Sequence, residues 1–315
     1  MGVFQISAHT APKIYKKKEE QKLHLEGDQY RIFDADFLRE RLDLFRKLNL
    51  KWFNTWANSD VYSDNSGDIA LAEFLKKYLQ EYEGLKMSSL HYIGSVFELN
   101  PDMDRQIKEQ MKRVIELFRD CHPKNLVMHP GTFGDGRFKC HKIRYQEACE
   151  ELGENKVKDI VAENIRYFGL EAGKYGIQIA VENIFGGRIY SRIPDLIDLV
   201  KKVNLDNVGF CLDVGHANVD GVDIPDTIRR MGDKLFELHL HDNWGEDSHL
   251  PIGFGNINWF EVIRTLKEVD YQGTATFEYF RWPLENVEEG VRQAVLTWET
   301  LEQISFDGYH TIDYM

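Results

Sequence analysis

The segment ELHLHDNWGEDSHLPIGFGNINW (237–259) gathers His239, His241 and His249 with Asp242, Glu246 and Asp247. Imidazoles and carboxylates are the side chains that hold Zn, Mn, Fe or Co, and they are also the groups that move protons. One histidine in a polar loop is more often satisfied by backbone than by a metal. The same residue types, however, close several other apolar runs. His91 follows MSSL, His129 follows NLVM, Glu182-Asn183 follow IQIAV, Asp213 and His216 lie in VGFCLDVGH, and Glu278 lies in GTATFE. Chemistry at these positions requires a fold that brings the ends of these runs together.

The runs alternate with segments of helical period. VFQIS (3–7), KWFNTW (51–56), MSSLHYI (87–93), NLVMHPG (125–131), IQIAVEN (177–183), VGFCLDVGH (208–216), LFELHLHD (235–242) and GTATFEYF (273–280) read as strands. Helices are expected at 36–48, 69–83, about 104–119, 155–175, 193–203, 225–231, from near Asn258, and at about 285–304. Eight such units predict an α/β fold, a (β/α)8 barrel in a single domain over 1–315. An irregular charged insertion falls at about 11–33 and a C-terminal helix at about 285–304. A doubly wound sheet would call for a Gly-rich phosphate loop, and neither GxGxxG nor GxxxxGK[ST] is present. In a barrel the C-terminal strand ends share one rim, so His91, His129, Glu182, Asp213, His216, His239 and Glu278 are expected there. Strand parity puts His239 and His241 on one face. The deeper of the two, His239, is taken as a ligand, and His241 as a second-sphere or substrate contact.

A chain of 315 residues, 43% hydrophobic, can bury a large core. Its net charge of −13 argues against a broad nucleic-acid footprint. The run Lys16-Lys17-Lys18 meets Glu19-Glu20 at once and reads as a solvated face. Cys121, Cys140, Cys149 and Cys211 form no CxxC pair, which fits a reducing compartment. No signal-like apolar region and no run of 18 apolar residues is found, so a cytoplasmic protein without membrane contact is expected.

AVEN (180–183), LDVGH (212–216), HLHD (239–242), DSHLPIGFGNINW (247–259) and YQGTATFE (271–278), taken in order, resemble the xylose isomerase-like TIM barrels. That superfamily includes endonuclease IV and the sugar and sugar-phosphate isomerases and epimerases, and the likeness covers about 85–280. It implies a divalent metal (Zn, Mn, Co or Mg) held by Glu182, Asp213, His239 and Glu278. One ion is expected, with ligand types for up to three in His91, His129, His216, Asp247 and His249. The epimerase branch implies that Glu182 and Glu278 exchange protons with the substrate and that His216 contacts it. The chain departs from the family at Gly253-Phe254-Gly255, where Gly-Glu-Gly is frequent, and over the first two strands.

The resemblance implies a metal-dependent sugar (or polyol) isomerase or epimerase acting through a metal-stabilised enediolate. One alternative is a multi-zinc phosphodiesterase of the endonuclease IV kind. Another is a lyase, a dehydratase or 3-oxo-sugar deglycosidase sharing the proton abstraction. Substrate contacts are expected from Trp56, His91, His129, Arg188, Trp244 and Phe254, with Phe185, Trp282 and Arg281 also near the rim. With no clear phosphate cradle, an unphosphorylated sugar is favoured. The partner is a small carbohydrate, not nucleic acid, and a homo-oligomer is expected by analogy with the family.

Overall fold

Parallel strands covered on both faces are built from nearly continuous apolar, β-branched runs, and the eight runs of this chain close into one barrel. The computed structural model describes residues 5–9, 14–16, 29–31, 34–57, 66–131, 148–186, 189–279 and 287–304. The barrel strands are β1 Gln5–His9, β2 Trp52–Ala57, β3 Lys86–Tyr92, β4 Asn125–Met128, β5 Gln178–Glu182, β6 Val208–Asp213, β7 Leu235–Leu240 and β8 Thr274–Phe277. They close in the order β1-β8-β7-β6-β5-β4-β3-β2, with every neighbouring pair parallel.

The helices are α1 Ala35–Lys47, α2 Ser66–Glu81, α3 Pro101–Phe118, α4 Glu154–Gly173, α5 Ile193–Val203, α6 Val214–Val219, α7 Ile224–Met231, α8 Trp259–Glu268 and α9 Val287–Ile304. Their starts are written locally. Asn100, Asp223 and Asn258 each accept hydrogen bonds from first-turn N–H groups of α3, α7 and α8. Pro sits in the first turn of α3, α5 and α7, where its missing N–H costs nothing. Leu42, Phe45, Met111, Phe118, Phe168, Leu196, Ile228, Ile263 and Trp298 are buried members of the main hydrophobic core. No helix among the described residues is long and apolar enough to cross a membrane.

A buried polar network crosses the barrel interior. Glu237 on β7 accepts hydrogen bonds from Ser89 on β3 at 2.6 Å, Asn125 on β4 at 2.9 Å and Thr276 on β8 at 2.7 Å. Because β3 and β4 are not neighbours of β7, the first two bonds cross the interior. The register of β6 and β7 is broken once: Phe210 pairs with Leu235, but Cys211 pairs with Glu237, so Phe236 is an extra residue. This bulge sets Asp213 level with His239. Without it Asp213 would stand beside Leu238, and the two-residue alternation would turn the acid or the imidazole away from the interior.

Several boundaries differ from the sequence expectation by a few residues, and three differences bear on the site or the fold. β6 stops at Asp213 instead of running to His216, because the Asp213 carboxylate accepts from the His216 N–H at 2.6 Å and starts α6. β4 stops at Met128, so His129 lies just beyond the strand. Inside the span expected to be irregular, Ile14–Lys16 pairs antiparallel with Gln29–Arg31, two runs each centred on a tyrosine, a residue type that favours strands. Arg188, Arg281, Trp282 and Cys140, and the Lys17–Glu20 charge run, lie outside the described residues.

Candidate metal centre

Glu182 ends β5, Asp213 ends β6, His239 lies near the end of β7, and Glu278 follows β8. All four are no more than 3% exposed, and one ligand atom of each lies within 4.8 Å of the others. His239 Nδ1 stands 3.2 Å from Glu278 Oε2, 3.3 Å from Glu182 Oε2 and 3.9 Å from Asp213 Oδ2. Four ligands at 2.0–2.2 Å from a tetrahedral ion would be separated by roughly 3.3–3.6 Å, so the spacing fits a divalent ion. Glu182 Oε2, Asp213 Oδ2 and His239 Nδ1 are buried and lack a hydrogen-bond partner among the described residues. Buried polar atoms are ordinarily satisfied, and a shared cation would satisfy all three.

Further ligand types surround this group. His91 Nε2 lies 3.4 Å and His129 Nε2 3.3 Å from the Glu182 carboxylate oxygens. On the other side, His216 Nε2 and His249 Nε2 face Asp247 Oδ1 at 3.7 and 3.0 Å. Both of these rings are fixed through Nδ1, His216 against the Asn183 carbonyl at 3.0 Å and His249 against the Glu278 carbonyl at 2.8 Å. A ring held by a backbone carbonyl at one nitrogen presents the other as a ligand. His249 also takes a left-handed backbone conformation, φ 46°, which costs a residue other than Gly about 1–3 kcal/mol and persists where the surroundings fix it.

The loop carrying Asp247 and His249 is built around Asp242. Its carboxylate accepts from the N–H groups of Asn243, Gly253 and Ile257 and from Trp259 Nε1, at 2.9, 2.9, 3.3 and 2.9 Å. A Cβ on Gly255 would come within 2.2 Å of that carboxylate, so only Gly fits there. His241 was expected as a second-sphere or substrate contact. Its Nε2 lies 3.0 Å from Asp213 Oδ1, and its ring stacks on His249 with centroids 3.9 Å apart. The close approach needs Gly215, where a Cβ would fall 1.9 Å from the His241 ring.

Electrostatics follow from this crowding. Burial pushes the Glu182 carboxyl up, but His239, His129 and His91 facing it together hold it well below the ordinary value. Glu278 is likewise raised by burial and, more strongly, lowered by His239 and His249. Burial also opposes the charge on Asp213, and His216 and His241 outweigh it. Burial takes His91 down to about 3. In His249 burial is overcome by Asp247 and the nearby acids, which carry the ring up to about 9.

The expected substrate contacts divide. Trp56 is buried and meets the His91 ring edge-on, and Phe185 lies 5.0 Å from the His216 ring. Trp244 and Phe254 are exposed, joined by the Trp244 Nε1 bond to the Phe254 carbonyl at 2.9 Å. Sequence reasoning overlooked three supports. Asn183 exchanges two hydrogen bonds with the Asp213 backbone and so ties the ends of β5 and β6 together. Asp242 staples the loop. Glu237 lies under His239. Asn183 and Asp242 were noted at strand ends without these roles, and Glu237 had a usable signal in lying two residues from His239 and so on the same strand face.

Comparison with known proteins bears on the fold and the family of the chain. A D-psicose 3-epimerase of Enterocloster bolteae is 28% identical over 223 residues, 70% of this chain and 69% of that protein. The structure of D-psicose 3-epimerase with D-tagatose from Clostridium cellulolyticum H10 superposes with a TM-score of 0.72 at 15% identity, covering 95% of this chain and 99% of that one. The IOLI protein with a bound zinc atom superposes with a TM-score of 0.68 at 18% identity, covering 98% and 100%. The family model for xylose isomerase-like TIM barrels matches residues 42–300, and the chain belongs to that family.

Proposed function

We propose that this protein is a divalent-metal-dependent sugar epimerase acting on an unphosphorylated ketose-like substrate. The observation that carries the reading is the pair of buried glutamates, Glu182 and Glu278, which reach the same imidazole nitrogen from β5 and β8. Two strands, β6 and β7, separate them, so the two carboxylates approach the site from different directions. Glu182, Asp213, His239 and Glu278 would hold the ion. Three carboxylates and one imidazole suit Mn, Co and Mg as well as Zn. A divalent ion held there would supply Lewis-acid polarisation of a substrate carbonyl, acidifying the neighbouring C–H.

One glutamate takes that proton, the electron pair passes into the carbonyl to give an enediolate, and the other glutamate returns a proton to the opposite face of the same carbon. The reverse reaction exchanges the roles, so one glutamate must hold a proton at each turnover, although both carboxyls are held low in the free protein. His216, fixed by Asp213 and Asn183, would hold a substrate hydroxyl. Names of relatives and neighbours support the reading at the level of sugar epimerase. The test is turnover of a panel of free ketoses by the metal-loaded protein in D2O. Deuterium should enter one carbon of the epimerised product, and absence of exchange with every ketose would remove the reading.

The groups His91–His129–Glu182 and His216–Asp247–His249, the second of which the structure extends with His241, support a second reading, a multi-zinc phosphodiesterase of the endonuclease IV kind. Three ions per chain with cleavage of abasic DNA would favour it, and one ion with ketose turnover would favour the epimerase.

A further inference from the structure

Glu237 is a carboxylate with no exposed surface in the middle of the barrel. A buried acid is costly unless its oxygens are occupied. Here Oε1 accepts from Ser89 and Thr276, and Oε2 from Asn125. Asn54 in turn donates to Ser89. All three direct partners are donors brought from three other strands, so the network orients the carboxylate and is itself fixed by the barrel.

What this oriented carboxylate faces is His239. Glu237 Oε1 lies 3.8 Å from Nε2, while Nδ1 on the opposite edge of the ring faces Glu278, Glu182 and Asp213. The imidazole is thus held between a carboxylate below and three carboxylates above. At 3.8 Å the contact is electrostatic and not a hydrogen bond. A negative charge at that distance favours the N–H on the near nitrogen. Metal-bound histidines generally direct their other ring N–H to a carboxylate or carbonyl, which sets tautomer and ring orientation. Thr276 adds geometry: it pairs in register with His239 and donates to Glu237. Cys211, level with Glu237 in the register, also borders the His239 ring.

We propose that Glu237 is a positioning residue of the metal centre, holding His239 with its proton on Nε2 and Nδ1 turned to the ion. The inference rests on the metal reading above. Its chemical content is that the ion's affinity depends on an acid that does not touch it.

The experiment uses the full chain and two readouts. In zinc-loaded wild-type protein with 15N-labelled histidine, the His239 resonances, assigned by their loss in His239→Gln, should show a protonated Nε2 and a zinc-bound Nδ1. A proton on Nδ1 overturns the inference, and that measurement needs no Glu237 variant to fold. The second readout is Co2+ affinity, from competition with a chromophoric chelator, with the visible Co2+ absorption as a signature of ligand geometry. Glu237→Gln, of equal size, should bind Co2+ about 10–100-fold more weakly with an altered band. Glu237→Asp should recover part of the loss. Affinity within twofold of wild type in Glu237→Gln overturns the inference while the metal reading stands. A wild-type chain that binds neither Zn2+ nor Co2+ overturns both.

Discussion

The inner ligand group and the outer one use similar side chains but are held in opposite ways. Glu182, Asp213, His239 and Glu278 are carried by strands or the residue after a strand, and all are buried. Their spacing is set by barrel register. His216 lies in the first turn of α6, and Asp247 and His249 come from the β7–α8 loop, with the Asp247 side chain 31% exposed. Their spacing is set by hydrogen bonds to single carbonyls and by the Asp242 staple. A site made by register has its geometry before any ligand arrives. A site made by a turn and a loop meets solvent and substrate and can yield to them. The inner group is therefore suited to hold an ion and the outer group to handle substrate, protons or a further ion.

The largest effect expected is from Glu182→Gln. Removing a proton-transfer group lowers turnover by about 10²–10⁴-fold, and metal analysis of the same preparation should show loss of the inner ion. His249→Gln should leave that ion in place. Equal metal loss in both variants would erase the distinction between the groups.

The pH dependence of metal-free stability should separate them next. His249, raised to about 9, contributes stability fully present below the unfolded value near 6.5 and lost as pH climbs through about 9; the span is worth at most roughly 3 kcal/mol. Glu182 and Glu278, both lowered, contribute stability present above the unfolded carboxylate value and lost as pH falls through their depressed values. Urea denaturation across pH should show His249→Gln flattening the alkaline limb while the acid limb keeps the Glu182 contribution, which His249 does not set. A flattened acid limb would show that the groups are coupled.

Adding a divalent ion at 100 times its Kd should stabilise the wild type by about 2.7 kcal/mol. Protons should be released in weak buffer, because the ion displaces those held by the raised imidazoles. Glu182→Gln should lose both responses, read by calorimetry in two buffers. The smallest effect is expected at the rim. Trp244→Ala should raise KM about 2–10-fold with kcat kept, the equivalent of an aromatic contact of about 0.5–1.5 kcal/mol. An unchanged KM would take Trp244 out of the substrate path.

The inner group was legible in the sequence because each of its members lies at or near the end of an apolar run, as in IQIAVEN, and barrel topology does the rest. The end of β6 was not. VGH continues the apolar run of VGFCLD, and periodicity cannot tell a continuing strand from one buried turn of helix; only the Asp213 cap decides it. Glu237 was missed for another reason. Its partners Ser89 and Asn125 lie 148 and 112 positions away, and no local pattern encodes contacts across a closed barrel. His241 was ambiguous because parity treats it as equal to His239, whereas its place against Gly215 depends on a turn that parity does not see.

The extra residue Phe236 limits how this site can be moved or redesigned. Rim loops can be exchanged between barrels because they begin and end at fixed strand tips. The seventh strand cannot be treated as such a part, since its ligand is in phase with Asp213 only by virtue of one residue placed well below the rim. A chain trimmed by one position there keeps every ligand in its sequence and loses their coincidence in space. Grafting the four ligands onto a regular barrel would fail for the same reason, until one residue is inserted in the lower half of that strand.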